Sequence, residues 1–180
     1  MLLLLALSPT ALAAPPRPPL KLQMDDYMVS MRDFCLPSEL RVVLQEDRVQ
    51  PLVSVTTLVD GGFAGDPKGQ EGTAHLAEHL WFRTLHGGAD TWAVLEGAGA
   101  SFNAVTEAET TQFMVTAPRA ALPVLLALEA DRLGAGLASI TPADVDIERN
   151  IVKNERILGT RPASEAVRAV LPAQLFPCPP

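Results

Sequence analysis

The chain has 180 residues, 48% hydrophobic and 19% charged, with 21 acidic against 14 basic side chains. That length suits one domain or a piece of a larger protein, and the apolar content supports a core and excludes a disordered chain. A formal net charge of -7 and a pI near 4.9 argue against a nucleic-acid binder, whose surface would be basic.

Met1 to Ala14 reads MLLLLALSPTALAA. The Leu2–Leu7 run is far short of the roughly 20 apolar residues that span a bilayer. Ser8-Pro9 follows it, then the small residues Ala11 to Ala14. An apolar run before an A-x-A-like site has the form of a secretory signal peptide, although it lacks a basic start. Residues 1–14 are therefore expected to be a cleaved leader, with the protein periplasmic or secreted and holding no stable membrane span. Residues 15–35 read as a proline-rich linker and lead-in, and Met1–Pro19 are set outside the fold. Ten of the 16 prolines fall in the two tails, so the body from Lys21 to Arg161 can fold. The two cysteines, Cys35 and Cys178, cannot build a disulfide framework.

Leu40–Gln45 and Leu52–Val59 are rich in β-branched residues and read as a hairpin. Asp60–Gly72 is a loop with five glycines. Thr73–Leu85 has helical periodicity and is expected to stop at Gly87-Gly88, with His86 as a C-terminal cap. A short helix is expected over Asp90–Glu96, and a strand pair over Ala100–Val105 and Thr110–Thr116. Pro118 is placed at the first position of an apolar helix reaching Leu133. Thr141-Pro142-Ala143-Asp144 has the form of a capping box, so a long helix should begin there and run past Leu158. Strand pairs beside long helices predict an α+β domain with an antiparallel sheet covered on one face. Trp81 and Trp92 are expected in its core.

The chemistry falls on two of these helices. His75 and His79 are spaced i, i+4, so one helical face presents both imidazoles to a single ion. Glu78 lies at the edge of that face, where a carboxylate can take a proton from activated water. Zinc suits imidazole and carboxylate ligands. The alternative is a pair of solvated surface histidines, which the apolar neighbours Leu76, Leu80, Trp81 and Phe82 disfavour. On the later helix, Glu148, Ile151, Val152 and Glu155 share a face. Two carboxylates there can serve a cation, or can pair with Arg83, Arg149 or Arg156 as ordinary charges.

These residues resemble the pitrilysin/insulinase-type zinc metallopeptidases, the inverted-motif group with H-x-x-E-H. The likeness rests on His75-x-x-Glu78-His79, and on Glu155 lying 76 positions after His79 with Glu148 seven before it. Further motifs accompany it: Gly72-Thr73-Ala74-His75, Asn103-Ala104-Val105-Thr106, Ala130-Asp131 and Val152-Lys153-Asn154-Glu155. The resemblance spans about Leu36 to Phe176. It implies one Zn2+ per chain on His75, His79 and Glu155, with Glu78 as general base and Glu148 as a supporting carboxylate of the catalytic site. It implies that Asn103 and Ala104 contact the backbone of a peptide substrate bound as an added strand. The activity implied is that of a zinc endopeptidase.

Members of that family are built from repeated domains in two halves, and the second half supplies substrate-binding residues. Residues 36–180 are therefore expected to form a truncated N-terminal metallopeptidase domain that works with a second half or partner subunit. The alternative is a non-catalytic structural or partner subunit of the same family.

Overall fold

The computed structural model describes residues 2–7, 20–24 and 27–159. In chain order these form β1 (Leu2–Leu7), β2 (Leu20–Met24), β3 (Tyr27–Cys35), β4 (Arg41–Gln45) and β5 (Leu52–Asp60). Then come α1 (Thr73–Arg83), β6 (Leu85–His86), β7 (Ala89–Asp90), α2 (Thr91–Gly97), β8 (Ser101–Thr106) and β9 (Thr110–Pro118). Two helices close the described chain, α3 (Leu122–Ala135) and α4 (Pro142–Gly159). The main sheet has the order β2-β3-β4-β1-β5-β9-β8, and β6 and β7 make a small separate hairpin. Every pairing is antiparallel except that of β1 with β5. The class is the expected α+β one.

Alternation along β5 and β9 builds the core. Val53, Val55 and Thr57 are buried on β5, and Thr111, Phe113, Val115 and Ala117 on β9. A strand sends alternate side chains to opposite faces, so one face of this pair carries the whole set. Leu125 and Leu128, three apart on α3, and Leu95 of α2 pack onto it. Thr57 donates its hydroxyl to Glu129 at 2.6 Å. Glu129 lies 3.3 Å from the Arg132 guanidinium, which sits 4.0 Å from the centre of the Phe113 ring. Burial pushes the Arg132 pKa below its ordinary range, and the charge of Glu129 opposes that shift.

Several local expectations are corrected. β4 and β5 are not a hairpin: β1 lies between them, with Leu5 opposite Val42 on one side and Thr57 on the other. A short apolar run fits a buried strand as well as it fits a leader, and periodicity does not separate the two. The residues set outside the fold thus supply a strand, and the lead-in supplies β2 and β3. α1 ends at Arg83, before the glycine pair. Gly87 and Gly88, with φ of 59° and 90°, instead form the two-residue turn of the β6–β7 hairpin, where positive φ is needed at both positions. His86 is therefore a strand residue, and its ring meets the Asp131 carboxylate of α3. Pro118 ends β9, and Pro123 occupies the first turn of α3. The capping box at Thr141 is present: the Thr141 amide donates to Asp144 at 2.9 Å, and the Asp144 amide to Thr141 Oγ1 at 3.3 Å. Cys35 is exposed, and Cys178 lies outside the described residues.

Candidate metal centre

The loop after β5 sets the start of α1. Asp66 accepts the Gly72 amide at 2.6 Å and the Ala74 amide at 2.8 Å, so its carboxylate satisfies two of the unpaired N–H groups at the helix start. Gly72 at the cap has φ of 98°, a conformation that glycine adopts freely. Asp66 escaped the sequence reading because it lies six residues before the cap it serves. From this start, His75 and His79 fall one turn apart on one face, with ring centres 4.8 Å apart and planes at 81°.

α4 packs against that helix. It brings Glu155 Oε2 to 3.6 Å from His75 Nε2 and 3.3 Å from His79 Nε2. One ligand atom from each of the three residues lies within 4.8 Å of the others. Ligands of a tetrahedral zinc, bonded at about 2.0–2.2 Å, stand roughly 3.4 Å from one another. The donor set fits such an ion, and the two Glu155 contacts come close to that spacing. His75 and His79 are partly buried, and the Glu155 side chain is half exposed, so the cluster opens to solvent on one side.

Glu148 stands behind this cluster, almost completely buried. Arg83 donates to its Oε1 at 2.6 Å, and its Oε2 lies 3.0 Å from His79 Nδ1. A carboxylate held by a guanidinium is an acceptor, so Nδ1 carries the proton. That leaves the Nε2 lone pair of His79 on the side of Glu155, where it could ligate an ion. Glu148 thus pairs with an arginine, as one of the two sequence readings expects, and also reaches the histidine. Arg83 entered that reading only as a possible ion-pair partner. Its link to Glu148 follows from the packing of α1 on α4, which no spacing within one segment reveals.

Glu78 is also buried, and Thr106 donates to its Oε2 at 2.5 Å. Beside it, β8 forms the edge of the main sheet, with Asn103 and Ala104 on the wall of an open cavity of about 840 Å³. Phe82, Trp92 and Phe102 line the same cavity, packed edge to face or tilted with ring centres 4.7–5.9 Å apart. Trp92 is half exposed, which corrects the expectation of a core residue, and its indole N–H donates to Glu96 at 2.9 Å. All seven residues singled out from the sequence are thus on this cavity: His75, Glu78, His79, Asn103, Ala104, Glu148 and Glu155. No helix among the described residues is long and apolar enough to cross a membrane.

Solved structures share the fold, and two of them are proteins of known name or activity. A protease from Helicobacter pylori is 22% identical with a TM-score of 0.59, the match covering 70% of this chain and 30% of that one. Pitrilysin is 24% identical with a TM-score of 0.66, the match covering 78% of this chain and 16% of pitrilysin. This chain therefore spans less than a third of either relative. No curated protein matches the sequence. The profile of the family described as insulinase (peptidase family M16) matches residues 41–177, which is most of the chain, and the chain belongs to that family.

Proposed function

We propose that this chain carries the metal-binding and proton-transferring part of a zinc-dependent endopeptidase that cleaves peptides or unfolded segments. The observation that carries the reading is the convergence of His75, His79 and Glu155, from two helices, beside the buried carboxylate of Glu78. In this reading His75, His79 and Glu155 hold one Zn2+. When bound, the ion polarises a peptide carbonyl and makes water acidic enough to attack near neutral pH. Glu78 takes the proton of the attacking water and returns it to the leaving amine, a role worth roughly a hundred- to ten-thousand-fold. Glu148 fixes the tautomer and orientation of His79.

The substrate backbone would be added to the open edge of β8. There Asn103 and Ala104 would contact it, and alternate substrate side chains would face the cavity. The aromatic wall of Phe82, Trp92 and Phe102 favours apolar side chains at that point. Because the chain spans a minor part of its relatives, a companion half or partner subunit is proposed to complete the substrate chamber. Export is proposed from the signal-peptide form of the sequence over residues 2–14. A non-catalytic subunit is the second reading, and the intact ligand set and base oppose it.

The test compares wild type with Glu78→Gln. Glu78→Gln should abolish cleavage of an unfolded protein substrate while metal content stays near one zinc per chain. Persisting cleavage would remove Glu78 from the base role. Absence of zinc from the purified wild type would support the non-catalytic reading.

A further inference from the structure

Glu78 is gripped by a residue that the metal-binding motif does not include. We propose that Thr106, at the end of β8, is the positioning residue for Glu78, with its one hydroxyl proton steered onto the carboxylate by Thr111 and Gly61. The catalytic consequence rests on the peptidase reading; the structural content does not.

Counting protons gives the direction. A threonine hydroxyl has one proton to donate and two lone pairs to accept with. Thr111 Oγ1 lies 2.8 Å from the Gly61 carbonyl, which can only accept, so the Thr111 proton is used there. Thr106 Oγ1 lies 3.3 Å from Thr111 Oγ1 and 2.5 Å from Glu78 Oε2. With the Thr111 proton committed, Thr106 must donate in either contact, and the nearer acceptor takes its proton. Both threonines are set by the sheet: Thr106 and Thr111 are cross-strand partners at the β8–β9 turn, and Thr111 faces Val59 of β5 on its other side.

The loop at Gly61 is held as firmly. The Phe63 amide donates to Glu107 O at 3.0 Å and the Ala64 amide to Ala108 O at 2.8 Å, so residues 61–64 lie directly on the β8–β9 turn. A chain of backbone contacts thus fixes the Gly61 carbonyl, the carbonyl fixes Thr111, and Thr111 leaves Thr106 free to serve Glu78. Anchoring Oε2 restrains the Glu78 carboxylate, which lines the cavity, and leaves its other oxygen for proton transfer. Glu78 is buried, so bulk water is poorly placed to replace the lost donor.

The experiment uses the full chain loaded with zinc, as wild type, Thr106→Val and Thr106→Ser. Zinc content, crystal structures, and kcat and KM on a quenched fluorogenic peptide are measured. All three should hold the same zinc. Thr106→Val should show Glu78 rotated away from its wild-type position and a kcat lowered about 10- to 100-fold, with KM within about two-fold. Thr106→Ser, which keeps the hydroxyl, should restore both the position and kcat. An unmoved Glu78 in the valine protein, or an undiminished kcat, overturns the proposal. Failure of serine to rescue overturns it too, in favour of a methyl-packing role. Should zinc-loaded wild type cleave nothing, the chain alone lacks turnover without its companion half, and the position of Glu78 across the three structures still decides the role of Thr106.

Discussion

His79 and Glu148 stand 69 positions apart in the chain, yet Nδ1 of one donates to Oε2 of the other across 3.0 Å. The contact aims the opposite nitrogen of the ring at Glu155, and Arg83 secures the other oxygen of the same carboxylate. Such outer partners of a metal-binding histidine usually contribute 10- to 100-fold to metal affinity. Glu148→Gln keeps the volume but removes the charge that favours a proton on Nδ1. It should weaken zinc binding by about that factor, read by competition with a chelator of known affinity. Unchanged affinity would mean that His79 is oriented by packing alone.

Gly62 controls how closely the loop after β5 approaches the β8–β9 turn. Its backbone φ of -135° is open to any residue, so the constraint is space. A Cβ placed there would lie 2.3 Å from the Glu107 carbonyl oxygen and 2.6 Å from that of Ala108, both backbone atoms. Gly62→Ala should therefore push the loop off the turn and break the two amide bonds from Phe63 and Ala64. Overpacking of this kind costs about 1–3 kcal/mol. For a chain of this size, the thermal midpoint should fall by roughly 2–10 °C. Gly65→Ala is the control, since nothing lies within 4 Å of its added carbon. Equal midpoints for the two variants would show that the loop moves aside without loss.

The site was more legible than the sheet around it, for a physical reason. A metal-binding pair on a helix is a local pattern, and a two-turn spacing such as Glu148 to Glu155 keeps both side chains on one face. Helix starts marked by Thr141 and Asp144 are local as well. Strand order is not: nothing in Arg41–Gln45 or Leu52–Asp60 announces that Leu2–Leu7 will lie between them. Nor did the glycine pair at Gly87 distinguish a helix stop from a hairpin turn, because both need positive φ. Asp66 was passed over for the same cause, and Thr106 entered only as the last residue of the Asn103–Thr106 motif, each acting on a helix from a different segment.

The reciprocal cap at the start of α4 gives a dependence on pH whose sign follows from one group. The Thr141 hydroxyl and then the Thr141 amide, both donating to Asp144, hold its carboxyl below the ordinary aspartate value of 3.8. A carboxyl whose pKa is lowered by folding binds protons more readily in the unfolded chain. Stability therefore rises with pH across the interval between the two values. The contribution is complete above about 3.8 and disappears as pH falls through the lower, folded value. Asp144→Ala should accordingly unfold at lower urea than wild type at pH 7, with both proteins free of metal so that Glu155 at the other end of the helix plays no part. The difference should shrink as the pH drops below 4, when the wild-type carboxyl is protonated too. A gap between the two midpoints that stays constant from neutral to acid pH would show that Asp144 stabilises α4 through packing or propensity and not through its charge.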